Sequence, residues 1–276
     1  MKLMLVRHLW GVQEGWEEAF PKFKAAGYRG IESSLPAPAD RKRFRALLDA
    51  HGFEYIPQIF TRGDTVVEHI ESFRAQIAEA AALRPRFINS HSGRDAFTVA
   101  ESEEFFAAAL SIEEDRGLAV AHETHRGRIL FNPWISSHLL ARFASLKLCC
   151  DYSHWVCVCE RLIDDELGIL RKCATRCLHL HARVGYEQGP QVPDPRAPEY
   201  ERHLAAHERW WRLVWQAQRK RGDAVSTLTP EFGPPLYQHT LPFTAVAVSN
   251  LWEICDWQAA RQAANFARSV RRVARS

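Results

Sequence analysis

The sequence is poorer in several features than its 276 residues would allow. No apolar run approaches the roughly 20 residues that span a bilayer, so no membrane helix is expected. The opening stretch MKLMLVRHLW is broken by Arg7 and His8 after a few apolar positions, which is not a secretory signal. A soluble, cytoplasmic protein is expected. There is no GxGxxG and no P-loop, so no nucleotide cofactor is expected. Charge of either sign is nearly balanced, at +3 with a pI near 8.5, too weak to argue for nucleic acid. The seven cysteines are odd in number and contain no CxxC pair, which excludes a disulfide framework or a zinc ribbon and leaves reduced thiols in or near the core.

What is present is alternation. Short β-rich runs occur at Lys2–His8, Gly30–Ser33, Phe53–Phe60, Arg86–His91, Leu118–Glu123, Leu146–Asp151, Cys177–His181 and Val225–Glu231. Amphipathic helical stretches follow each of them, such as QEGWEEAFPKFKAAG and RKRFRALLDAHG, which end in the C-capping candidates Gly27 and Gly52. Eight βα units of about 35 residues imply parallel strands joined by crossover helices. Without a nucleotide fingerprint, eight such units favour a closed (β/α)8 TIM barrel, one α/β domain over residues 1–276. The Pro-rich connection Ala182–Pro198 is expected to be an ordered loop over the active face or at a subunit interface. The basic end, ARSVRRVARS, is expected to be a solvated helix face.

The last four strands finish alike. They end at Glu123 in AHETHR, Asp151 in LKLCCDYSHW, His181 in CLHLHAR and Glu231 in STLTPEFGPP. In a (β/α)8 barrel these positions converge at the C-terminal mouth. Three carboxylates and one imidazole suit a single divalent ion, and the lack of a thiolate donor speaks against structural zinc. The cation would relieve the repulsion of clustered carboxylates. The competing explanation is that they are rim residues paired with nearby arginines. His179 shares a strand face with His181 and is expected one layer deeper. Trp10, Glu32, Gln58 and Asn89 lie at or beside earlier strand ends, and His125, Arg126 and Arg128 follow the fifth strand. Trp134 and Trp155 are candidates for walling a sugar face.

The pieces HET, DYSH, HLHA and PEFG, in that order, resemble the xylose isomerase-like TIM-barrel superfamily. That group includes sugar isomerases and epimerases, inosose and dehydroshikimate dehydratases, and endonuclease IV-like enzymes. The resemblance implies one metal, Mn2+, Mg2+, Co2+ or Zn2+, held by Glu123, Asp151, His181 and Glu231. It implies substrate contacts from His154, in the Asp-x-x-His motif, and from His91. Ketose 3-epimerases carry an arginine six residues after the metal His, where this sequence has Glu187, so 3-epimerisation is not implied. Arg183 is the nearest candidate for a comparable contact, joined at the mouth by His125 and Trp10. The third strand ends in PQIFTRG, with Gln58 and no His, so the zinc cluster of an endonuclease is not expected.

The chemistry so implied is proton transfer between Glu123 and Glu231 through an enediolate, in an isomerase or epimerase of a sugar or polyol-derived substrate. A keto-polyol dehydratase or a non-catalytic sugar-binding barrel are the alternatives. Dimers and tetramers are common among the resembling proteins, so a homo-oligomer is compatible with the resemblance.

Overall fold

A computed structural model describes residues 1–273, so the final residues of the basic end lie outside the described part. Eight parallel strands close into a barrel in sequence order: β1 Lys2–His8, β2 Gly30–Ser34, β3 Glu54–Phe60, β4 Ile88–His91, β5 Val120–Glu123, β6 Leu148–Cys150, β7 Cys177–His181 and β8 Val225–Thr229. Closure comes from β1 against β8, with Lys2 opposite Val225 and Leu5 opposite Leu228. The helices are α1 Trp16–Ala25, α2 Arg41–His51, α3 Val66–Ala81, α4 Val99–Arg116, α5 Pro133–Arg142, α6 Tyr152–Cys159, α7 Leu167–Ala174, α8 Glu201–Arg221 and α9 Leu251–Val273. The TIM barrel read from the alternation is the fold observed.

Local chemistry sets the boundaries. α3 and α4 each open with a reciprocal capping box, Thr65 with Glu68 and Thr98 with Glu101. α2 stops at Gly52, whose φ of +61° carries the chain out of the helix. One helix was not expected. α6 begins straight after β6 because Asp151 accepts a hydrogen bond from the Ser153 amide as its N-cap. β6 therefore ends at Cys150, and Asp151 is a cap rather than a strand residue.

Two apolar layers place the site. Between strands and helices, Phe73, Ile77, Phe105 and Phe106 are buried, as are Trp210, Trp211 and Trp215 of α8. Each such side chain contributes roughly 1.5–3 kcal/mol. Inside the barrel, Met4, Val6, Ile56, Phe87, Ala121 and Cys149 form a floor. Polar side chains occupy the layer above it.

Candidate active site

Above the floor, residues of β2, β4, β7 and β8 build a deep polar layer around Glu32. Its Oε1 accepts from Asn89 Nδ2 and His181 Nε2, both at 3.0 Å. Its Oε2 accepts from Thr229 Oγ1 at 2.6 Å and His179 Nε2 at 3.2 Å. His179 lies below His181, as its strand position required. Glu32 is fully buried and fully bonded. Burial alone would raise its carboxyl, but His181 and His179 hold it well below the ordinary carboxylate range.

One layer higher, the four strand-end residues meet. Glu123, Asp151, His181 and Glu231 each present a donor atom within 4.8 Å of the other three, and all are buried. With Nε2 engaged by Glu32, His181 turns Nδ1 toward the cluster, 2.8 Å from Glu231 Oε2 and 3.7 Å from Glu123 Oε1. His181 Nδ1, Glu123 Oε1 and Glu231 Oε2 are all buried and none makes an aligned hydrogen bond. Convergent buried donor atoms, with an imidazole oriented from behind by a carboxylate, fit a divalent ion. The opposing observation is Arg183. Its Nη2 lies 2.6 Å from Asp151 Oδ2 and 2.9 Å from Glu231 Oε2, so one guanidinium already serves two of the carboxylates. The other two buried carboxylates have imidazole partners instead, Glu32 in His179 and His181 and Glu123 in His91.

The electrostatics agree. Burial pushes the Asp151 carboxyl above its ordinary value, against the pull of Arg183 and His181. Burial also acts on Glu231, but His181 and Arg183 overcome it and hold this carboxyl at about 2. Glu123 is held low against burial by His91 and His181. His181 is burdened by burial yet raised well above its ordinary value by Cys149, Glu231 and Glu32.

Through Glu231 the cluster borders a cavity of about 510 Å³. Glu231, His91, His125, Arg183 and Trp10 line it, whereas Glu123, Asp151, His154 and His181 sit behind its wall. His91 Nε2 approaches Glu123 Oε2 at 2.9 Å. His125 lies tilted by 44° against His154, with ring centroids 3.8 Å apart. Burial and the neighbouring His91 lower His125 to about 3, and burial with His125 keeps His154 neutral, so its Nε2 accepts from Arg183 Nη2 at 2.9 Å. The Trp134 and Trp155 candidates are displaced. Trp155 is buried and donates to the Leu130 carbonyl, and Trp134 lies outside the barrel against Arg161 and Glu166. Glu187 is likewise remote, paired with Arg202 and His203. The Ala182–Pro198 loop is ordered, and Gln191 clamps the backbone of Gly233, two residues beyond Glu231.

Among the cavity residues that escaped the sequence reading are His8 and Tyr237. His8 ends β1, donates to Gln58 at 2.8 Å and lies 3.4 Å from Glu231 Oε1. The strand-end rule that found Glu123 would have found it. Tyr237 comes from the loop after β8 and packs beside Trp10 and Arg183; no periodicity marks it.

The family model for the xylose isomerase-like TIM barrel matches residues 20–219. No curated protein matches the sequence. Among solved structures, the probable 3-DHS dehydratase of petrobactin synthesis from Bacillus anthracis aligns with a TM-score of 0.63 and 15% identity, covering 95% of this chain and 98% of that one. The 3-keto-D-glucoside 4-epimerase of E. coli gives 0.62 and 10%, with 94% and 98% covered. Endonuclease IV of Thermus thermophilus gives 0.57 and 16%, with 96% and 99% covered. At these identities the likeness is one of fold.

Proposed function

Because the chain belongs to the xylose isomerase-like TIM-barrel family, we propose that it is a divalent-metal-dependent isomerase or epimerase of a hydroxy-carbonyl compound, a sugar or polyol derivative. The observation that carries this reading is the convergence of buried donor atoms on Glu123, Asp151, His181 and Glu231, within 4.8 Å of one another, beside a cavity that Glu231 lines. A divalent ion held by these four residues would supply positive charge to the substrate oxygens as an α-proton leaves. Glu231 opens to the cavity and is ionised at neutral pH, so it takes that proton. Glu123, facing it across His181, is assigned the second carboxylate role. His125, held neutral by burial, and His91 line the path of substrate hydroxyls. His154 acts through Arg183, which it orients from behind the wall.

Of the two glutamates only Glu231 lines the cavity. One open base suffices for isomerisation or for β-elimination of a hydroxyl, whereas inversion of a stereocentre needs groups on both faces. Dehydration of a keto-polyol is therefore the second reading.

The test is solvent deuterium uptake at the α-carbon, followed by NMR over a panel of α-hydroxy ketones and keto-polyols, beside elemental analysis. About one divalent ion per chain, lost in Asp151→Ala/His181→Ala, and exchange abolished in folded Glu231→Gln are the expected results. Exchange that persists undiminished in Glu231→Gln would sink the assignment, and product identity separates isomerase from dehydratase.

A further inference from the structure

The cavity is divided by the order of the strands. Its polar side comes from β4, β5, β7 and β8, through His91, His125, Arg183 and Glu231. Its opposite side comes from β1, β2 and β3 and the segments after the first two; Leu9, Trp10, Trp16, Pro36 and Phe60 line it, with His8, Ser33, Ser34 and Gln58 as its polar members. Tyr237 closes the seam, edge-on to Trp10 with ring centroids 4.9 Å apart.

Two features say what this apolar side receives. The first is size. At about 510 Å³ the cavity lies in the range that encloses drug-sized ligands, so a hydroxy-carbonyl group at Glu231 leaves most of it to be filled. The second is hydrogen bonding. Ser33 Oγ is used by the Ser34 carbonyl and Tyr55, and Gln58 Oε1 is used by His8. Gln58 Nε2 is buried without a partner, and Ser34 at the end of β2 is exposed, so two polar groups remain free on this side. Polyol hydroxyls set against Leu9, Trp16, Pro36 and Phe60 would lose their water partners with little in return. A hydrocarbon or aromatic group gains by the same burial.

We infer that the substrate is a hydroxy-carbonyl compound bearing an apolar arm of about phenyl size, seated against Trp10, Trp16 and Phe60, rather than a free sugar or a sugar phosphate. The hydroxy-carbonyl end rests on the function proposed above; the arm rests on the cavity wall alone.

The experiment compares two α-hydroxy ketones that differ only in the arm, 2-hydroxyacetophenone and hydroxyacetone, by calorimetry on the full chain loaded with Mn2+. A single methylene in an apolar pocket is worth about tenfold or more, so the phenyl probe is expected to bind at least about tenfold tighter. That advantage should shrink in Phe60→Ala and in Trp10→Ala, each verified as folded by circular dichroism. Trp10 is 37% exposed, so its variant leaves the core intact. Equal affinities, or an advantage that both variants keep, would overturn the inference. Repeating the pair on EDTA-treated protein separates the two readings. A phenyl preference there stands even if the metal chemistry fails, while metal-dependent deuterium uptake with equal probe affinities removes only the apolar arm.

Discussion

Arg183 donates through both Nε and Nη2 to a single oxygen of Asp151, at 3.1 and 2.6 Å, with both residues buried. The same Nη2 reaches Glu231, so this side chain is the resident counter-charge of the cluster. Removing one member of a buried ion pair strands the other and costs roughly 3–5 kcal/mol. Arg183→Met is expected to lose stability of that order in metal-free protein. Because a cation at the cluster would serve the same carboxylates, Mn2+ should restore part of the loss. Denaturant unfolding with and without Mn2+ measures it, and an identical deficit in both conditions would mean that guanidinium and ion do not share Asp151.

Glu32 fixes which nitrogen of His181 faces the cluster. Its Oε1 accepts a hydrogen bond from Nε2, leaving Nδ1 turned toward Glu231 and Glu123. Partners behind a metal-ligating imidazole typically contribute about 10–100-fold to metal affinity. Glu32→Gln should weaken Mn2+ binding by that factor while leaving the four cluster residues in place. Calorimetric titration reads the affinity, and an unchanged dissociation constant would make Glu32 a packing residue only.

The pH dependence follows from buried histidines first and carboxylates second. Burial holds His125 at about 3 and His207 at about 4 in the fold, against an ordinary value of 6.5. The unfolded chain therefore binds protons that the folded chain refuses, and stability falls as pH drops below about 6.5. For His207 the loss by pH 4 is on the order of 3 kcal/mol. Glu231, held at about 2 against an ordinary 4.5, adds a second loss between those two values. His181 has the opposite sign: its raised value contributes stability below 6.5 that is lost as pH climbs through the folded value. Melting temperature should decline in two stages on acidification, and His207→Gln should flatten the first. A flat profile from pH 7 to 5 would contradict the assignment of neutral buried imidazoles.

The strand ends were readable because each finishes an apolar run with one polar residue, and period-two alternation fixes which way that residue faces. Glu123 and His181 are legible on that rule, as His8 is in hindsight, whereas β8 stops at Thr229 rather than at the expected Glu231, which lies two residues past the strand. Asp151 was legible by identity but not by role, since its carboxylate caps α6 as well as pairing with Arg183. Glu32 and Asn89 were visible only as minor mouth candidates, because a carboxylate bonded on both oxygens looks in sequence like any other glutamate. The apolar half of the cavity was hidden for a different reason. Leu9, Trp16 and Phe60 satisfy core patterning, and only the barrel's closure shows that part of each faces a void rather than a helix.

Gly233 supports that apolar half from behind. A Cβ built there would run into the six-membered ring of Trp10, and Gln191 holds the residue's backbone N–H and C=O at 2.7 and 3.0 Å, so the strand exit cannot withdraw. In Gly233→Ala the indole must move instead. Overpacking of this kind typically costs about 1–3 kcal/mol. The displaced ring should also narrow the cavity and reduce affinity for an apolar ligand. Combining Gly233→Ala with Trp10→Ala removes the clash, so the double variant should be more stable than the sum of the two single losses predicts. Chemical denaturation of the four proteins in that cycle gives the coupling. Strictly additive losses would show that Trp10 does not lean on Gly233, and the indole's place at the cavity wall would then need another cause.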